Sequence, residues 1–217
     1  MPGFLDRAGD YLPLLMNGVW LTLVVTFFSV ILSTVLGFVW AIMTWTGNPL
    51  LVGISRGFIT IIRGIPIIVQ LFYIYFVMPE IGLDLSALQA GIIGLGIAYS
   101  AYQAENFRAG IESIDKGQIE AAMSIGMSEA LIMRRVILPQ AIRIVMPPFG
   151  NTIIMMLKDS SLVSTITVAE LTRQGQLIAA STFDNMTVFT LVALIYLGLS
   201  LPLTFLTRHL EKRYAQA

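Results

Sequence analysis

Apolar residues fall in five long stretches along this chain, divided by shorter polar ones. The first lies in a charge-free run between Asp10 and Arg56, where Asn17 to Met43 reads as one helix and Thr46-Gly47-Asn48-Pro49 as the turn that ends it. The second runs roughly from Ile54 to Met78 and carries Arg63. The third runs from Ser86 to Ala104, and the fourth follows Arg143 and is interrupted by two adjacent charges, Lys158 and Asp159. The fifth spans Val188 to Thr207. A hydrocarbon core about 30 Å thick needs roughly 20 helical residues, so each stretch suffices for about one crossing. The pattern predicts an all-α integral membrane protein with about five transmembrane helices and residues 1–217 as a single domain.

Composition agrees with that class. Of 217 residues, 56% are hydrophobic and 12% charged, about half the charged share of a soluble globular protein, and the mean hydropathy is +0.81. Zero net charge gives no reason to expect nucleic acid as a partner. The absence of Cys removes disulfides, thiolate chemistry and Cys-based metal sites. The opening MPGFLDRAGD leads into an apolar run far longer than a signal-peptide core, so the first span is expected to be retained.

Basic residues set the expected orientation. Arg56 and Arg63 follow the first stretch; Arg108, Lys116, Arg134, Arg135 and Arg143 separate the third from the fourth; Arg208, Lys212 and Arg213 close the chain. With five crossings these share one side, leaving Arg7 and Arg173 opposite. The positive-inside rule then puts the amino terminus outside and the carboxyl terminus in the cytoplasm. His209, among the terminal basic residues, reads as an interfacial residue with no special task.

The longest polar region, about 111–143, thereby faces the cytoplasm. Its centre, GQIEAAMSIGMSEALIMRRVILPQAIR, predicts a helix over 118–125, a left-handed turn at Gly126, a second helix capped by Ser128 and a stop at Leu138 ahead of Pro139. Ile119, Ala122 and Met123 share one face, and Ala121 and Ala122 are small enough for another backbone to come close, so the surface suits docking. On periodicity alone, the same hairpin also fits an amphipathic pair lying on the bilayer.

Residue identities go further. Glu120-Ala121-Ala122, then Gly126, then Leu138-Pro139 resembles the EAA motif of ABC importer permeases, with Val136 where that family usually has Ile. Arg63 to Phe72, RGIPIIVQLF, resembles the RGTPLLVQ stretch of the polar amino acid (His/Glu/Gln/Arg/opine) branch, with Ile65 in place of Thr. Ala104 to Ala122 is similar to its AEIFRAGI segment, with Asn106 departing, and LPQAIR and LKDSSL extend the likeness, which covers most of Arg63 to Leu171. The resemblance implies a type I-like ABC importer transmembrane domain in a bacterial inner membrane. It implies a polar amino acid substrate, an extracytoplasmic solute-binding protein, and an ATP-binding cassette ATPase dimer that binds the ATP and Mg. It also implies that Glu120, Ala121, Ala122, Gly126, Leu138 and Pro139 couple the chain to that ATPase.

Lys158 and Asp159 bear on the route. A charge at a helix centre costs roughly 2.5 to 3.5 kcal/mol on insertion scales, whereas each Leu, Ile, Phe or Val returns only about 0.3 to 0.6. Fourteen helical residues after Arg143 rise only about 21 Å, which leaves Lys158 inside the membrane. The pair must face protein or a watery path, and the hydroxyl-rich SSLVSTITVAE that follows fits broken backbone rather than a spanning helix. Lys158, Asp159, Ser160 and Ser161 are candidate path residues for a zwitterion, with Asn151 on nearly the same helical face. A structural reading stands beside this one: the two charges form ion pairs that only fix packing. Glu105 joins the candidates through the family resemblance, although Arg108 at i+3 also suits an ordinary helix pair. Gln70 is a weaker candidate, and Arg63 is expected to snorkel to the cytoplasmic face. Pro147 and Pro148 predict a break between the loop and the fourth span, either a plain helix start or a hinge.

No nucleotide-binding GxxxxGK[ST], HExxH or GxSxG pattern occurs, so the chain reads as no enzyme and as holding no cofactor of its own. An ion-coupled secondary transporter or a channel subunit for a small polar solute is the alternative, but neither explains a docking hairpin, and no inverted repeat is present. Five helices are too few to enclose a gated path, so a second permease subunit, identical or related, is expected.

Overall fold

The computed structural model describes residues 4–214, so the first three and last three residues of the expected unit lie outside the described residues. Among the described residues every regular element is helical: α1 (Phe4–Trp45), α2 (Pro49–Gly64), α3 (Ile67–Phe72), α4 (Ala87–Glu112), α5 (Lys116–Ser124), α6 (Glu129–Ile132), α7 (Leu138–Asp159), α8 (Leu171–Thr182) and α9 (Asn185–Tyr214). The first helix starts at Phe4, well before Asn17, and has 42 residues. At one end of the molecule Ile42 and Trp45 of α1 pack on the α5–α6 hairpin; at the other, Leu15 and Val19 pack on α8 and α9. These are the hairpin end and the far end.

The second apolar stretch is two helices rather than one. Pro66 lacks an amide hydrogen and holds Ile65 extended at φ −108°, ψ 130°, and the chain turns by 102° between α2 and the helical run Ile67–Ile81. Such a break frees carbonyls at membrane depth, where water is scarce. Gln70 takes them: its side-chain amide donates to the carbonyls of Ile62 and Ile65, both at 2.8 Å.

The third stretch, α4, is the central helix. A capping box of Ser86 and Gln89 starts it, and its 26 residues rise about 39 Å. It runs parallel to α1, joined through small residues. Ser29, Ser33, Gly37 and Ala41 recur every fourth position on the buried face of α1. A Cβ on Gly37 would stand 2.6 Å from Cβ of Gln103, and Ser29 donates to the Ile92 carbonyl at 3.1 Å. Close backbone approach of this kind supplies the packing contacts on which helix association in lipid depends. The cost is apolarity. Among the described residues two segments, α1 and Asn185–His209 of α9, are long and apolar enough to cross a membrane as single helices, four if each bent pair counts as one crossing; α4, 26 residues long, is not apolar enough to be among them.

Two proline expectations are corrected. The helix does not stop at Leu138: Met133–Ile137 form a wide π turn in which the Leu138 amide reaches back to the Met133 carbonyl, and α7 carries on through Pro139. The wider turn makes room where the proline ring would crowd the preceding turn. Nor does the chain break at Pro147 and Pro148, which lie inside α7. The break comes later, where Ser160–Ile166 tighten into a 3-10 helix, Thr167 takes a left-handed φ of 70° and α8 departs at 50°.

Candidate functional site

Helix α7 descends against α4 in the opposite direction. Val145 packs on Gly110, Asn106 donates to the Thr152 hydroxyl at 3.1 Å, and the Tyr99 hydroxyl donates to Asp159 at 2.7 Å. Tyr99 is midway along α4, so Asp159 sits at mid-depth of the central helix. Its partner is a tyrosine rather than a cation. The side chain of Lys158 is exposed on the isolated chain and has no ion pair or hydrogen bond among the described residues. Asn151, Met155 and Lys158, spaced i, i+4 and i+7, form one exposed face of α7. Ser160 is fully buried and donates to the Leu157 carbonyl at 2.7 Å, so its hydroxyl is turned inward, while Ser161 is half-buried.

A line of contacts joins this point to the bend in the second stretch. The Tyr99 and Tyr102 rings lie 5.7 Å apart, and the Arg63 guanidinium stands over the Tyr102 ring at 5.4 Å. Arg63, exposed on the isolated chain, therefore covers an aromatic face of α4. Gln70, occupied by backbone carbonyls, serves the bend.

Glu105 forms the anticipated pair with Arg108 at 2.7 Å, and Arg108 also reaches Glu112 at 2.7 Å. The pair lines a cavity of about 340 Å³ with Thr44, Arg56 and Thr60. A second cavity, also about 340 Å³, lies between α1, α4 and α7 and is lined by Phe38, Phe107, Ile111, Leu138, Val145 and Phe149 among others, with almost no polar surface. Phe107 follows Glu105 by two residues and Phe149 precedes Asn151 by two, about 200° around each helix. The polar cavity and the apolar one thus take different faces of α4.

In the hairpin, Asp115 caps α5 by accepting from the Gly117 amide at 2.7 Å, and Gly126 makes the turn at φ 79°. Ser128 stands at the start of α6 without a side-chain capping bond. The expected docking face is split. Ala122 is buried with Ile111, Ile114, Ile132, Met133, Ile137 and Ala141, with Ile119 packed against them, because this face holds the hairpin on the bundle. Glu120, Ala121, Met123 and Ile125 form the exposed side, Ile125 being 78% exposed. Leu138 is half-buried and Pro139 exposed.

Three residues were missed in the sequence. Tyr99 and Tyr102 carried no signal beyond an aromatic pair at i, i+3. Glu170 is fully buried and accepts from the amides of Thr172 and Arg173, at 2.9 and 2.8 Å, and from Tyr196 of α9 at 2.8 Å. Thr22 of α1 accepts from the Leu171 amide at 3.1 Å. A lone acid immediately ahead of a helix was the signal available for that cap.

A family model for the inner membrane component of binding-protein-dependent transport systems matches residues 33–216. The chain belongs to that family. Such a component is an integral inner-membrane protein, and this one is an ABC transporter permease subunit rather than an enzyme. It is 40% identical over 208 residues to the probable amino-acid ABC transporter permease protein YckA of Bacillus subtilis, covering 96% of this chain and 92% of that one. It is 39% identical over 204 residues to the glutamine transport system permease protein GlnP of Escherichia coli K12, covering 93% of each. A chain from the crystal structure of an amino acid ABC transporter with histidines superposes with a TM-score of 0.90 at 38% identity, over 98% of this chain and 99% of that one. A chain of the inward-facing MetNI methionine ABC transporter superposes with a TM-score of 0.80 at 25% identity, covering 93% and 96%. The permease fold is therefore of the type I importer class.

Proposed function

We propose that this permease carries polar amino acids inward, paired with a second permease chain, with Lys158, Asp159, Ser161 and Asn151 lining the route and Glu105 further along it. The observation that carries the reading is the charged pair at mid-depth: Asp159 is held by Tyr99 while Lys158, next to it, is unpaired on an exposed face of α7. A zwitterion needs one group of each sign, and an unpaired ammonium inside a bilayer needs a partner. The exposed face is where a second permease subunit would stand across the route, which answers the expectation that one chain does not enclose a path. The amino-acid and glutamine permeases among its relatives support the substrate class.

The hairpin end is assigned to the cytoplasm by its basic residues, with the amino terminus outside. There the exposed side of α5, Glu120 and Ala121, with the turn at Gly126, receives the ATP-binding cassette dimer, which binds the ATP and Mg. Ala122, Leu138 and Pro139 support it from within and behind. A solute-binding protein delivers the amino acid from outside. The test is ATP-dependent uptake of radiolabelled L-glutamine, L-glutamate and L-arginine by vesicles holding the permeases, the ATPase and the binding protein. Lys158→Gln lowers uptake about tenfold or more, the worth of one charge-assisted hydrogen bond, while ATP hydrolysis persists. Undiminished uptake by that variant overturns the route.

A further inference from the structure

The cavity at the hairpin end of α4 holds two guanidinium groups in different states. Arg108 is engaged on both sides, by Glu105 and by Glu112. Arg56, on α2, lines the same space and has no ion pair or side-chain hydrogen bond among the described residues. The hydroxyls differ in the same way. Thr44 donates its proton to the Ala41 carbonyl at 2.6 Å and offers the cavity only acceptor capacity, whereas Thr60 makes no side-chain hydrogen bond among the described residues and retains its donor. Glu105 accepts from Arg108 through Oε2, and its Oε1 is without a partner among the described residues.

The unspent groups are therefore two donors, Arg56 and Thr60, and two acceptors, Glu105 Oε1 and Thr44 Oγ. The geometry points to a second solute station, distinct from the mid-depth pair, in which Arg56 and Thr60 hold a carboxylate and Glu105 and Thr44 hold the ammonium of the same zwitterion. This rests on the reading of the chain as an amino acid route. Glu105 follows Tyr102 by one turn of α4 toward the hairpin end, so the station is the next polar stop after the Tyr99–Asp159 contact, about 9 Å further along the helix axis. A volume of about 340 Å³ falls in the range of pockets that hold one small molecule. Two cations against one anion line it, so the carboxylate is the group it grips more firmly. A phospholipid headgroup phosphate shares that chemistry, and the experiment separates the two sources.

The chain has no cysteine, so with accessible thiols removed from the partner subunits a single introduced thiol reports on this chain alone. In nanodiscs of phosphatidylcholine holding the complete transporter, the labelling rate of Thr60→Cys by a methanethiosulfonate reagent is followed with L-glutamine, L-glutamate or L-arginine added. Thr44→Cys, which also lines the cavity, serves if the first variant fails to assemble. Whichever amino acid the transporter takes up slows labelling about tenfold, and Arg56→Gln removes that protection and lowers uptake by a similar factor. Labelling indifferent to the transported amino acid, or normal uptake by Arg56→Gln, overturns the station but leaves the mid-depth route standing. Protection by added phosphatidylglycerol and not by amino acid assigns the cavity to lipid and also overturns it. Absence of uptake of all three by the unaltered transporter is a failure of the amino acid reading itself.

Discussion

The Tyr99 hydroxyl donates to the Asp159 carboxylate at 2.7 Å, and this bond ties the middle of α4 to the point where α7 ceases to be α-helical. Tyr99 is 1% exposed, so its ring is fixed by packing and the carboxylate is oriented by a donor that has no freedom to turn away. Tyr99→Phe keeps the volume and removes only the bond. Uptake by the reconstituted transporter is expected to fall about tenfold, within the range for a hydrogen bond to a charged group, with the thermal midpoint little changed. Uptake equal to that of the unaltered protein would show that Asp159 needs no positioning.

Gln70→Leu strips the two carbonyls at the bend of their donor. Unsatisfied buried polar groups cost about 1–3 kcal/mol each, so the purified permease should unfold at a lower temperature in detergent. Gln70→Glu tests the same point from the other side, because a carboxylate has no proton to give. An unchanged midpoint in both variants would mean that the bend is held by other contacts.

Gly18→Ala places a methyl 2.7 Å from the backbone of Leu171, next to the Glu170 cap. Overpacking of this kind costs about 1–3 kcal/mol, and here backbone must move. Gly57→Ala is the control: its Cβ meets nothing within 4 Å, so removing a helical glycine should leave stability the same or raise it by up to about 1 kcal/mol. Thermal midpoints that fall equally for both would refute a specific α1–α8 contact.

Gly126→Val forces a branched residue into a left-handed turn with φ 79° and no neighbour near its Cβ. The penalty is purely conformational, about 1–2 kcal/mol or more, and it falls on the hairpin turn alone. The solute moved per ATP hydrolysed should drop while the complex still assembles. Unaltered coupling would count against the hairpin as the receiver of the ATPase stroke.

The local features were legible in the chain. Gly126 announced its turn, the hydroxyl-rich run after Asp159 announced broken helix, and the apolar stretches announced a helical membrane chain, because each depends on neighbours in sequence. What escaped depends on distant partners. Tyr99 and Asp159 are 60 positions apart, and Glu170 meets Tyr196 and Thr22 on other helices. Proline was over-read: Pro139 warned of an end to the helix, but a wide π turn absorbed it. Of the residues expected to share a docking face, Ala122 is buried on the bundle beneath it while Met123 is exposed, a division that depends on what the hairpin packs against.

The small residues that let α1 and α4 touch also fix an order of assembly. Alone in lipid, α4 is too rich in Gly, Ala, Ser and Tyr to be a comfortable resident; with α1 already beside it, the same side chains are shielded. The ribosome delivers α1 before α4, and so the earlier helix is in place to shield the later one. Disturbing the stripe at Ser29, Ser33, Gly37 and Ala41 should register in the cell as newly made permease lost to proteases, before any transport defect is measured.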